Sequence, residues 1–229
     1  MKEHPLVLCL TNTVAANFTA NCLLAMGAKP AMIEDESEAA ELAAASDAIL
    51  VNLGTVTPQQ AKAMQAAVQV ARERGIPWVL DPVGIQALTY RRNLAKTLIK
   101  QKPSIIRGNT KEIEFLLGSV PKGVRGSVPR GVALATGEVD RVSEGEKVQE
   151  ITGGVPMLQA VTATGCAQGG VCAALLGEGL SPWNAAVSAS KLMKTAGEIA
   201  WKKSQTPGSF QVALVDALYE LTKGKGANA

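Results

Sequence analysis

Short apolar runs alternate with longer stretches of helical spacing along almost the whole chain. "PLVLCL" at 5–10, "PAMI" at 30–33, "DAILVN" at 47–52, "PWVL" at 77–80, "PSII" at 103–106 and "GVALAT" at 131–136 have the length and aliphatic make-up of buried strands. Between them, "AANFTANCLLAM" carries helical spacing and stops at Gly27, a residue suited to the position just past a helix. An acidic segment at 36–45 and residues 58–74 read as helices, the second with Pro58 in its first turn and Gly75 behind it. Helical spacing returns at 90–100, in "KEIEFLL", after "ATGC", at 182–201 and at 209–222, with a polar connecting stretch after Glu138. Strands alternating with helices predict an α/β fold on a mostly parallel sheet. A length of 229 residues suits one such domain, 1–229.

The runs share a way of ending. Thr11-Asn12, Asn52-Leu53-Gly54-Thr55, Asp81-Pro82-Val83-Gly84, Arg107-Gly108-Asn109 and Thr136-Gly137-Glu138 each follow an apolar run with small, polar or charged residues. Any one of these is an ordinary turn. In a parallel sheet, however, ligands bind beyond the carboxyl ends of the strands, and five such ends predict a shared crevice.

Composition narrows the chemistry. Hydrophobic residues make up 47% of the chain but aromatics only 3%, so the core is aliphatic and base-stacking surfaces are not expected. A charge of +3, from 23 basic and 20 acidic residues, is too even to call for nucleic acid or an anionic membrane. No apolar run reaches the ~18 residues of a membrane span, and the one in "MKEHPLVLCLTN" is too short for a signal peptide, so a cytoplasmic protein is expected. Cys9, Cys22, Cys166 and Cys172 form no Cys-x-x-Cys pair, and His4 is the sole histidine. Zinc, thioredoxin, Ser-His and Cys-His chemistry are thereby disfavoured. Carboxylates, a thiol, Lys or Arg, backbone amides and a hard metal ion are left.

The stretch "AVTATGCAQGGVCAALLG", 160–177, has no charged residue. A glycine-containing turn entering a helix directs backbone N–H groups and a partial positive charge at one point, which makes an anion site. There is no P-loop signature and no convincing Gly-x-Gly-x-x-Gly after the first strand. On its own the stretch reads equally as a packed helix in which Cys166 is a small hydrophobe.

Taken in order, "PLVLCLTNTVAANFTANCLLAMGAKPAM", "VNLGT", "LDPVG", "IRGNTKEI", "ATGEVD", "ATGC" and "PGSFQVALVDALYEL" resemble the hydroxyethylthiazole kinases of thiamine salvage, within the ribokinase-like superfamily. The resemblance runs from Pro5 to about Thr222 and implies a three-layer fold with helices on both faces of the sheet. It implies ATP and Mg²⁺ as cofactors, a thiazole alcohol as substrate, and a homotrimer with active sites between subunits. Carried residue by residue, it places Asn12, Val14, Met32 and Gly54 in the substrate pocket, with Ala163 and Gly165 beside it. Arg107, Asn109 and Thr136 match the ATP contacts, and Asp81 and Glu112 the carboxylates near magnesium. Read alone, Asp81 is a turn or cap residue, Glu112 a first-turn helix charge and Arg107 a surface cation. Cys166 stands where most ribokinase-like enzymes have an aspartate base. It is assigned as base or positioner, with a pKa lowered by the helix start.

The chain departs from the family pattern in places. Leu8 replaces a usual histidine, and Ala163 replaces the first glycine of Gly-Thr-Gly-Cys. The flanking threonines favour an extended backbone, with negative φ and a harmless alanine at 163. The segment 118–131, with Lys122, Arg125 and Arg130, is shorter than usual and reads as a mobile surface loop near the nucleotide end, either a solvated connector, which is favoured, or one whose cations help hold phosphates. The amino-terminal helix usual before "PLV" is not legible. Other readings that share these residues are a different small-alcohol kinase, an ATP-dependent NAD(P)HX dehydratase and a weakly active ligand-binding member.

Overall fold

A computed structural model describes residues 2–118 and 131–223. The elements alternate as the periodicity predicts: β1 (Leu6–Leu10), α1 (Ala16–Ala25), β2 (Lys29–Met32), α2 (Glu36–Ala45), β3 (Ala48–Asn52), α3 (Pro58–Arg74), β4 (Trp78–Asp81), α4 (Thr89–Ile99), β5 (Ile105–Asn109), α5 (Thr110–Leu117) and β6 (Val132–Thr136). An antiparallel hairpin of β7 (Asp140–Glu144) and β8 (Lys147–Ile151) follows, then α6 (Met157–Ala160), α7 (Thr164–Gly177), α8 (Pro182–Lys203) and α9 (Pro207–Thr222). The eight strands form one sheet in the order β2-β1-β3-β4-β5-β6-β7-β8, parallel from β2 to β6. The register is continuous, with Val7, Leu8, Cys9 and Leu10 opposite Ala48, Ile49, Leu50 and Val51.

Strand side chains divide by alternation into two cores. Val7, Cys9, Leu50, Val79, Ile105 and Leu134 pack with α1, α7, α8 and α9. Leu8, Leu10, Ile49, Val51, Trp78 and Leu80 face the other way, onto α2, α3 and α4. Leu8 is fully buried there. Both faces of the sheet being covered explains why its strands read as unbroken apolar runs.

α3 opens with a capping box, in which Gln60 N–H donates to Thr57 Oγ1 at 3.2 Å and Thr57 N–H donates to Gln60 Oε1 at 2.9 Å. α7 is buried from Ala167 to Leu176, its small residues letting it lie on the middle of the sheet. The hairpin β7–β8 differs from the polar connector expected of this stretch. Its charged residues alternate with Val142 and Ile151, which are buried on one face, while Val148 is exposed on the other, so the apolar signal is only two residues strong. Of the segment 118–131, residues 119–130 lie outside the described residues, including Lys122, Arg125 and Arg130. No helix among the described residues is long and apolar enough to cross a membrane.

Candidate active site

Because β1, β3, β4, β5 and β6 are adjacent and parallel, their carboxyl ends open at one edge, and each brings a polar side chain there. Asn12 Nδ2 donates to Asn52 Oδ1 at 2.8 Å, and Asn52 Nδ2 donates to Asp81 Oδ2 at 2.8 Å. Arg107 continues the row, 3.5 Å from Asp81 Oδ2 on one side and donating to Thr136 Oγ1 at 3.1 Å on the other. Thr136 Oγ1 in turn donates to the Gly108 carbonyl at 3.2 Å. Asn12, Asn52, Asp81 and Arg107 are all buried. A hydrogen-bonded row thus crosses five strand ends, and neighbours in it are far apart in sequence.

The start of α7 lies against this row. Gly165 is in contact with Arg107: a side-chain carbon there would stand 2.8–2.9 Å from two guanidinium nitrogens. The glycine leaves room for the guanidinium to lie directly against the helix start. Arg107 Nε and Nη2 also donate to Gln168 Oε1, at 3.3 and 3.1 Å. Cys166 is half-buried, its Sγ 3.7 Å from the donating Asn12 Nδ2.

Two expectations are corrected here. Ala163, the residue before α7, has φ +68° and ψ −2°, a left-handed conformation rather than an extended one. The Thr164 hydroxyl explains it, donating back to the carbonyls of Leu158 and Val161 and folding the chain sharply into the helix. The Cys166 thiol is raised, not lowered. Burial is the main cause and the Asp81 carboxylate adds to it, outweighing Arg107 and the Asn52 and Asn12 amides.

Asp81 is pushed up to about 7, chiefly by burial and further by Glu112, against the opposing pull of Arg107 and Asn52. Its Oδ1 is buried without a partner. Glu112 accepts the Gly84 N–H at 2.8 Å and the Asn109 N–H at 2.9 Å, in a capping box with Asn109. It thereby fixes the loop after β4 to the start of α5. An orphaned carboxylate oxygen and a second carboxylate that disfavours its charge suit a hard divalent cation, which keeps its own waters and needs few protein ligands.

A cavity of about 480 Å³ opens beside the row. Arg107, Asn109 and Thr136 line it with Ala163, Gly165 and Lys194. Asn12, Val14, Met32 and Gly54 lie on the other side, toward the sheet edge formed by β2. There the Gly54 N–H donates to Asn52 Oδ1 at 2.9 Å, Met32 ends β2 half-buried, and Val14 is 58% exposed. Asn52, Gln168 and Lys194 were not singled out from sequence as site residues. Asn52 was visible only as one more polar strand end, and the other two lie inside helices.

Fold and site define a class: this is a ribokinase-like α/β protein, with its polar residues gathered at the carboxyl edge of the sheet beneath a helix start. A ribokinase-like superfamily protein from Enterococcus faecalis V583 shares the fold at a TM-score of 0.66 and 13% identity, over 94% of this chain and 86% of that one. More particularly, the chain belongs to the hydroxyethylthiazole kinase family, whose model matches residues 1–224. It is 46% identical to the hydroxyethylthiazole kinase of Klebsiella pneumoniae (strain 342), over 98% of this chain and 94% of that relative. The structure of the hydroxyethylthiazole kinase protein from Pyrococcus horikoshii OT3 is similar at a TM-score of 0.89 and 33% identity, covering 99% of this chain and 92% of that one.

Proposed function

We propose that the protein transfers the γ-phosphoryl group of ATP to the primary alcohol of 4-methyl-5-(2-hydroxyethyl)thiazole, a step of thiamine salvage. The observation that carries this reading is the hydrogen-bonded row Asn12–Asn52–Asp81–Arg107–Thr136 lying against the start of α7, with a thiol between its two sides. The cavity lined by Arg107, Asn109 and Thr136 takes the nucleotide. The amides at Gly165 and Cys166 and the guanidinium of Arg107 meet the transferring phosphoryl oxygens, where charge develops in the transition state. Asp81 and Glu112 would hold magnesium, which when bound would neutralise phosphate charge.

On the other side, Asn12, Val14, Met32 and Gly54 receive the thiazole, a small neutral ring suited to a thioether and aliphatic wall. Cys166 and Ala163 stand between the two. Since the thiol is raised, Cys166 orients the alcohol in its protonated form, and loose phosphoryl transfer needs no strong base. The exposure of Val14 fits a substrate pocket completed by a second subunit, in a homotrimer.

The test is incubation of purified protein with hydroxyethylthiazole, ATP and Mg²⁺. Formation of thiazole phosphate and ADP in equal amounts is expected. Folded protein that makes neither, with every magnesium and thiazole concentration tried, sinks the reading.

A further inference from the structure

Lys194 lies on α8, outside the row of strand ends, yet its ammonium is placed in the wall of the nucleotide cavity. Its side chain is only 8% exposed. Nζ donates to the carbonyls of Glu138 and Gly153, each at 3.0 Å, and lies 3.5 Å from the Gly137 carbonyl and from Asp140 Oδ1. These oxygens come from two separate segments: the turn between β6 and β7, and the chain just after β8. One side chain thus ties together two loops that share no backbone hydrogen bonds of a ladder at that point.

The second loop is seated on α8 at two further places on the same helix face, three and four residues on. Glu198 Oε1 accepts the Gly154 N–H at 2.7 Å. Gly197 leaves the space for Leu158, whose Cδ1 would lie 2.8 Å from any side-chain carbon there. The loop held in this way leads through α6 to Val161, Thr162 and Ala163, which line the cavity and deliver the chain into α7. Asp140 links the clamp to the row, accepting from Ser190 Oγ at 2.7 Å and from Gln168 Nε2 at 3.4 Å, while Gln168 holds Arg107.

We propose that Lys194 is a positioning residue for the nucleotide, an internal cation that closes the two loops into one wall and sets the turn that presents the α7 amides. It acts through those loops and not by grasping phosphate, because carbonyls and Asp140 already surround the ammonium. An uncharged side chain would leave the buried Asp140 carboxylate without its cation and the two loops without the donor that joins them, and the wall would open.

The inference rests on the cavity being the ATP site, so its test separates the two. Lys194→Met keeps the length and the apolar stem, and Lys194→Ala leaves a space an ammonium ion can enter. Apparent KM for ATP should rise about tenfold or more in both, with KM for the thiazole at saturating ATP little changed. Added ammonium or methylammonium should restore much of the ATP affinity of Lys194→Ala, tetramethylammonium should not, and the wild type should respond to none of them. An ATP KM at the wild-type level in Lys194→Met overturns the proposal, and that variant decides if the alanine form does not fold. Equal losses for both substrates without rescue overturn it too, since they mark a general packing defect. The ATP-induced shift in Tm is measured alongside, so the role of Lys194 is decided even if the wild type phosphorylates no thiazole.

Discussion

Burial and the neighbouring Asp81 carboxylate hold the Cys166 thiol above its ordinary range, so at neutral pH its sulfur carries a proton and cannot accept one from the alcohol. A general base contributes about 10²–10⁴ in rate, whereas a group that orients a hydroxyl contributes less. Cys166→Ser keeps a small donor and acceptor in place, and kcat should fall by only about tenfold. A loss of a thousandfold in steady-state kinetics would restore the base assignment. Asp81 carries a separate consequence. Its folded value of about 7 stands above the ~3.9 of an unfolded chain, so the folded state binds the extra proton between those values. The stability it contributes is present below about pH 4 and is lost as pH rises through 7. In EDTA, Tm should decline by on the order of 5–10 °C from pH 5 to pH 8, and Asp81→Asn should flatten the decline. Thermal melts of both proteins across that range check the sign; parallel curves would refute it.

At the scale of elements, the turn into α7 carries a local strain. Ala163 holds φ +68°, a region that favours glycine, and no side chain caps the helix at that residue. The left-handed region costs an alanine roughly 1 kcal/mol. Ala163→Gly should therefore raise Tm by about 2–4 °C. Since α7 already begins at Thr164 with its amides in helical order, kcat should change less than tenfold. A melt that falls on substitution would remove the strain argument.

The sequence made the alternation of strands and helices legible because the parallel strands are apolar on both faces and several helices, α1, α3, α5 and α8 among them, are bounded by Gly or Pro. Asn12, Asp81, Arg107 and Thr136 were visible for a related reason, as polar residues abruptly ending apolar runs. Lys194 and Gln168 were not. Inside a helix, one polar residue in a mixed segment looks like a solvated one, and only the fold brings it beside a loop some 40–60 residues away in the chain. The conformation at Ala163 was also hidden, because it is imposed by Thr164 bonding backward rather than by the alanine itself.

On the scale of the whole molecule, one face of the protein carries exposed apolar residues among the described residues. Val14, Asn17, Asn21 and Leu24 follow one another at helical spacing along and just before α1, all exposed and none charged. Val212 and Tyr219 are exposed on α9, which packs beside α1. An uncharged stripe of this kind suits an interface, and a stable one needs about 800 Å² from each partner. The stripe begins at Val14, two residues from Asn12, so a second copy seated on it would also wall the side of the site proposed for the thiazole. Leu24→Glu places a charge on that stripe, at its far end from Asn12, without touching the row of strand ends. The variant should sediment as a monomer, with KM for the thiazole raised tenfold or more and the ATP-induced Tm shift unchanged, because the nucleotide cavity is built from one chain. If Leu24→Glu and the wild type sediment alike as monomers with equal thiazole affinity, the substrate pocket is complete within one subunit and the shared-site arrangement is wrong.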